Sequence, residues 1–171
     1  TDGPYLFQEE NELKSLRVGE NGVYIEENVN PNLPFRVQSH SGEITFDVKL
    51  RIPRTPEWKH TQSGDILVIS DPHGNLEAFV SILKAQNVID ENYKWTFRNN
   101  HLVIIGDVFD RGDDVLPIYW LIYKLEGEAS KAGGKLHFLY GNHEDMVLRN
   151  DMRYANEKYN LLAKELNIDY N

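Results

Sequence analysis

Apolar positions change their period near residue 65. Before it, GVYIEE and FRVQSHSGEITFDVKLRI alternate apolar and polar residues, the two-residue period of half-exposed strands. RVGENGVYIEE predicts a hairpin turning at Asn21-Gly22, and Ser41-Gly42 marks a second turn. Pro31, Pro34, Pro53 and Pro56 punctuate the ends of these stretches. Residues 1–60 are expected to form a small antiparallel β module, with RTPEWKHTQSGD as the connector to the remainder of the chain.

After residue 65 the apolar runs become short and continuous: ILVIS (66–70), LVII (102–105) and LHFLY (136–140). Such runs suit strands covered on both faces of a parallel sheet. Between them Leu76, Phe79, Val80, Leu83 and Val88, then Leu116, Trp120, Leu121, Tyr123 and Leu125, recur at helical spacing. Pro117 falls in the first turn of the second helix, where a missing amide hydrogen costs little, and Gly133-Gly134 stop it. From Asp151 onward one amphipathic helix is expected, carrying Leu161, Leu162 and Leu166. Strand, helix, strand, helix, strand implies crossovers on a parallel sheet, which bind ligands beyond the carboxyl ends of the strands.

Three polar segments occupy those ends: SDPHGN (70–75), GDVFDRG (106–112) and GNHE (141–144). Asp71 and His73, two apart on an irregular turn, can face one ion, and oxygen with imidazole nitrogen suits iron, manganese or zinc. Gly74 lets the backbone bend closely, and Asn75 can cap the next helix. Asp107 directly follows its strand and can bridge two cations. Asp110 lies further along and suits orienting a histidine, while Arg111 offers a planar fork of donors for phosphate. Asn142 can give an amide oxygen to a metal, and His143 a proton to a departing oxygen. Each segment also has a plainer alternative: an Asx turn with Asp71 capping and His73 exposed, a solvated Asp–Arg turn, a helix cap at Asn142 with Glu144 in a capping arrangement. Their joint occurrence favours a two-metal phosphoester hydrolase. The remaining histidines take the bland reading. His137 is expected to be a packed, hydrogen-bonded imidazole, and Trp58, Trp95 and Trp120 core or edge packing.

A net charge of -9 and a pI near 5.1 argue against a nucleic-acid surface. No stretch has the length and apolarity of a membrane span. The absence of cysteine excludes disulfides and thiolate chemistry. The start at Thr1 implies a processed precursor or a trimmed chain, and with the lack of cysteine would suit a periplasmic, extracytoplasmic protein.

The three segments resemble the calcineurin-like metallophosphoesterases, within them the phosphoprotein phosphatase branch, whose pattern is GDxHG, GDxxDRG, GNHE. Ser70 replaces the usual first glycine. GDVFDRGDD, the GG before the third strand, and GNHEDM followed by DMRY are similar to the bacterial Shewanella-like phosphatases. The resemblance covers roughly residues 65–155. It implies an α/β core of the αββα sandwich type, here incomplete at its carboxyl end, within 61–171. It further implies a dinuclear centre of manganese, iron or zinc, with Asp71 and His73 on the first ion, Asp107 bridging and Asn142 on the second. His143 would be the general acid held by Asp110, Arg111 would bind phosphoryl oxygens, and a metal-bound hydroxide would attack. Family members carry further histidine ligands downstream of GNHE, but no histidine follows His143 here. The chain is therefore expected to be the amino-terminal portion of a phosphatase acting on phosphoproteins. The alternatives are a hydrolase of dinucleoside polyphosphates or other small phosphoesters, and a binding module with a vestigial site.

Overall fold

A computed structural model describes residues 2–9, 12–19, 21–52, 55, 57–61 and 64–166. The connector between 53 and 63 lies partly outside the described residues. Three antiparallel strands come first: β1 (Asp2–Glu9), β2 (Glu12–Gly19) and β3 (Gly22–Glu26), in that spatial order. Gly22 pairs with Gly19 and opens β3 at a φ of 115°, so it belongs to the strand rather than to the turn. The alternation in 12–26 does not reveal β1, whose partner is β2. β4 (Phe35–Gln38) and β5 (Thr45–Val48) form the second expected hairpin, with Gly42 at a φ of 81° in its turn.

Next comes a parallel sheet in the order β6 (Ile66–Ile69), β7 (His101–Ile105), β8 (Lys135–Leu139), with α1 (Leu76–Ala85) and α2 (Val115–Lys131) as the intervening helices. Asn75 caps α1 by accepting the Ala78 N–H at 3.0 Å. Ile69, Leu102, Ile104 and Leu136 face inward onto Phe79 and Leu83 of α1 and Ile118, Leu121 and Leu125 of α2. Val37, Phe46 and Val48 of the hairpin belong to the same core, so apolar packing is continuous across residue 60. Each fully buried leucine here contributes about 1.5–3 kcal/mol.

Full cover on both sheet faces is not observed among the described residues. On the opposite face Ile66, Val68, Ile105 and Leu139 remain between 47% and 54% exposed. Continuous apolarity in ILVI therefore overstates the cover that the described residues provide. Trp120 packs edge-on to Phe35 and donates its indole N–H to the Pro4 carbonyl at 2.9 Å, whereas Trp58 is 94% exposed and packs into no core.

α3 (Asn142–Leu148) begins directly after β8, and α4 (Glu157–Glu165) begins six residues later than the helix expected from Asp151. Residues 151–156 are loop and turn because Asn156 caps α4, accepting the Lys158 N–H at 2.9 Å. Ala163 is the buried residue of α4, and Leu161 is exposed. Lys158 fastens this helix to the front of the molecule through Asp2 at 2.7 Å and the Asp113 carbonyl at 2.5 Å.

Candidate active site

The three polar segments meet where β6, β7 and β8 end, and their backbones interlock. His73 N–H donates to the Asp107 carbonyl at 2.9 Å, Gly74 N–H to Val108 at 3.0 Å, and Gly112 N–H returns to His73 at 3.0 Å. Two glycine pairs permit this closeness. A Cβ on Gly74 would stand 2.6 Å from the Gly112 carbonyl carbon, and one on Gly106 would run into the Gly141 backbone. Asp71, His73, Asp107, Asp110 and Arg111 all take left-handed φ values, between 39° and 73°. Non-glycine residues in that region are held there by their surroundings, and such positions gather at functional sites.

The side chains converge accordingly. His73 is buried, and its Nδ1 donates to the Phe109 carbonyl at 2.7 Å, which leaves the Nε2 lone pair free, 3.7 Å from Asp71 Oδ1. His143 is also buried; its Nδ1 meets Asp110 Oδ2 at 2.6 Å, and its backbone N–H donates to Asp107 Oδ1 at 2.9 Å. The two imidazoles stand edge to face with centroids 4.6 Å apart. Ligand atoms of His73, Asp107 and His143 all lie within 4.8 Å of one another. Asp71 is exposed at the rim, where the Ser70 side chain hydrogen-bonds to it and, with His73 and Arg111 nearby, holds its carboxyl below the usual range. Arg111 is exposed beside it, and a cavity of about 470 Å³ lined by Asp71, His73, Asn75 and Arg111 opens there. Asn142 stands exposed at the first position of α3, next to His143.

Glu144 does more than the expected capping. Its Oε2 accepts the N–H groups of Gly141 and Asp107, both at 2.7 Å, and its Oε1 accepts Val108 at 2.8 Å and Phe109 at 3.3 Å. Tyr119 Oη donates to the same Oε1 at 3.1 Å. Burial pushes the Glu144 carboxyl up, but the four backbone donors outweigh it and the net displacement is downward. Burial and the adjacent Glu144 charge push the Tyr119 hydroxyl upward, so it remains a donor. One anionic side chain thus sets the loops after β7 and β8 against each other. A glutamate three residues past a strand-ending glycine signals a helix cap; its reach across to residues 107–109 has no local signal. Ser70 likewise reads in the sequence as an incidental replacement, yet it is a partner of Asp71.

An imidazole nitrogen of His73 and a carboxylate oxygen of Asp107, within 4.8 Å of each other, suit a borderline divalent cation, and the His73 tautomer fixed by Phe109 presents the nitrogen such an ion needs. The pattern of the calcineurin-like phosphoesterases matches residues 64–170. The chain belongs to that family. Membership in the calcineurin-like phosphoesterases implies divalent metal ions, in keeping with this donor set. The chain is 40% identical over 93 residues to Shewanella-like protein phosphatase 2 of Arabidopsis thaliana, covering 54% of this chain and 24% of that protein. It is 40% identical over 96 residues to Shewanella-like protein phosphatase 1 of Plasmodium berghei, covering 56% and 26%. The crystal structure of a cold-active protein-tyrosine phosphatase from a psychrophilic Shewanella superimposes with a TM-score of 0.83 at 31% identity, over 99% of this chain and 51% of that one. The chain therefore spans about a quarter of the length of these curated relatives and about half of the solved structure. The fold is the mixed α/β arrangement of this family, with a small antiparallel sheet beside the parallel one. Among the described residues no helix is long and apolar enough to cross a membrane.

Proposed function

We propose that the protein to which this chain belongs hydrolyses phosphoesters on phosphoproteins with a centre of two divalent cations, manganese, iron or zinc. The observation that carries the reading is the buried His143–Asp110 pair at 2.6 Å, set beside the His73–Asp107 cluster. Asp71 and His73 would hold one ion, Asp107 would bridge, and Asn142 would serve the second. When bound, the ions supply positive charge that favours ionisation of water and neutralises charge on the phosphoryl oxygens.

The chain's own residues do the rest. Arg111 binds phosphoryl oxygens at the cavity mouth. Asp110 fixes the His143 ring and faces the charge of its protonated form, so that Nε2 points its proton outward. As a water oxygen forms its bond to phosphorus and the ester P–O bond breaks, that proton passes to the departing oxygen; the proton shed by the water goes to solvent, from which His143 is reprotonated. Burial of Asp107, Asp110 and His143 keeps bulk water from competing for these contacts. The named likeness to a protein-tyrosine phosphatase at a TM-score of 0.83 supports phosphotyrosine as the substrate class over dinucleoside polyphosphates.

The test is hydrolysis of an aryl phosphate by the full-length gene product with added manganese, against Asp107→Asn. Metal-dependent turnover lost in Asp107→Asn is the expected result. An intact, metal-loaded protein that turns over no phosphoester, or an Asp107→Asn variant as active as its parent, would sink the reading and leave a binding module.

A further inference from the structure

Tyr154 lies in the segment joining α3 to α4, and nothing in the metal chemistry requires it. The residue is 50% exposed, and its ring centroid stands 5.4 Å from that of His143 at an interplanar angle of 50°. Its carbonyl accepts the Arg111 N–H at 3.2 Å, and two residues on, Asn156 Nδ2 donates to the Arg111 carbonyl at 2.8 Å. The segment therefore grips the backbone of the phosphate-facing arginine from both sides and lays a ring beside the proposed acid. The Arg153 guanidinium, paired with Asp151, lies 5.9 Å from that ring.

The position follows from the hydrogen bonding. Asp110 occupies Nδ1 of His143, so an oxygen that receives its proton must sit at Nε2. The organic group carried by that oxygen then lies next to His143, where Tyr154 provides an exposed aromatic surface. Aromatic rings prefer offset or edge-on partners with centroids within roughly 7 Å, a geometry open to a second ring at this rim.

We infer that Tyr154 is a specificity-determining residue that packs against the leaving group and favours aryl over alkyl phosphoesters, an inference resting on the hydrolase reading above. The strength of one aromatic pair sets the expected effect at about two- to tenfold. The test compares one peptide sequence carrying phosphotyrosine or phosphoserine, in the full-length protein with manganese, for the parent, Tyr154→Phe and Tyr154→Leu. Tyr154→Leu should lose about two- to tenfold in kcat/KM on phosphotyrosine, mainly through KM, and little on phosphoserine; Tyr154→Phe should keep the parent's preference. Equal losses on both substrates would mean that Tyr154 only props His143, and unchanged kinetics would mean that it touches neither; both overturn the inference. A binding arm with non-hydrolysable phosphonate versions of the two peptides reads the ring contact without turnover. Tighter aryl binding lost in Tyr154→Leu, in a protein that hydrolyses nothing, would sink the hydrolase reading and keep the ring subsite. Equal binding of both phosphonates by the parent would overturn the subsite alone.

Discussion

Two pairs of histidines lie on or beside this parallel sheet, and their hydrogen bonding differs. At the carboxyl end His73 and His143 stand 4.6 Å apart, each with Nδ1 committed to an oxygen, the Phe109 carbonyl or the Asp110 carboxylate. Toward the amino end His101 and His137 stand 5.1 Å apart, and their nitrogens meet each other at 3.1 Å. In the first pair the Nε2 atoms are left to face a shared space. In the second the rings satisfy one another, with His60 stacked edge-on against His137 and Lys135 adding positive charge nearby. What separates the pairs is the partner of the second nitrogen, not the count of imidazoles.

The carboxyl-end pair is most vulnerable at Asp110. Asp110→Asn keeps the shape but removes the charge that faces His143. Turnover of poor leaving groups should fall by about 10²- to 10⁴-fold, the usual worth of general acid catalysis. An activated nitrophenyl ester, which needs less protonation, should lose much less. Similar losses on both esters would assign Asp110 to folding instead. A smaller effect is expected at the carboxylate that holds the loops. Glu144→Ala strands buried donors at residues 107 and 108 and half-buried ones at residues 109 and 141 and at Tyr119. With about 1–3 kcal/mol for each unsatisfied buried group, partly relieved by water, a net loss of about 3 kcal/mol follows. Calorimetry should then show Tm lower by about 6–12 °C.

The mildest effect belongs to the amino-end pair. Burial, and then the positive neighbours His60 and Lys135, depress both His101 and His137 below the ordinary imidazole value of 6.5, with the pair also opposing each other's charge at His137. The unfolded chain thus binds more protons than the folded one below that value. Their contribution to stability is present above pH 6.5 and is lost as pH falls through the folded pKa values. Between about pH 7.5 and 5.5 the parent's Tm should drop more steeply than that of His101→Gln/His137→Gln. Parallel slopes would refute this account of the amino-end pair.

Much of the site could be read from residue order, because each ligand-type residue sits directly after an apolar run and sheet topology does the gathering. Asp71, His73, Asp107, Asp110 and His143 are brought together on that logic alone. His137 is also the hydrogen-bonded imidazole expected. What escaped depends on contacts distant in sequence. Glu144 serves residues some 36 positions away, Tyr154 reaches His143 across the α3 turn, and β1 is recognisable only through its pairing with β2. The late start of α4 escaped for a local reason: apolar spacing across 151–166 is compatible with helix throughout, and the Asn156 cap decides the boundary. On the outer face of the sheet the apolar runs state what a strand could bury, and among the described residues nothing covers that face fully.

The paired glycines also constrain how this sequence can change over generations. When a side chain collides with a neighbouring side chain, a second mutation can shrink the neighbour and restore the fit. Gly74 and Gly112 meet backbone to backbone, and Gly106 faces the backbone of Gly141, so those partners have nothing to give up. A lineage that gains a side chain at Gly74, Gly106 or Gly112 has no compensating substitution at its partner, and one that gains it at Gly141 runs into the Asp107 carboxylate that the site uses. The only escapes are reversion or displacement of a whole strand end, and with it the histidines and carboxylates that strand end carries.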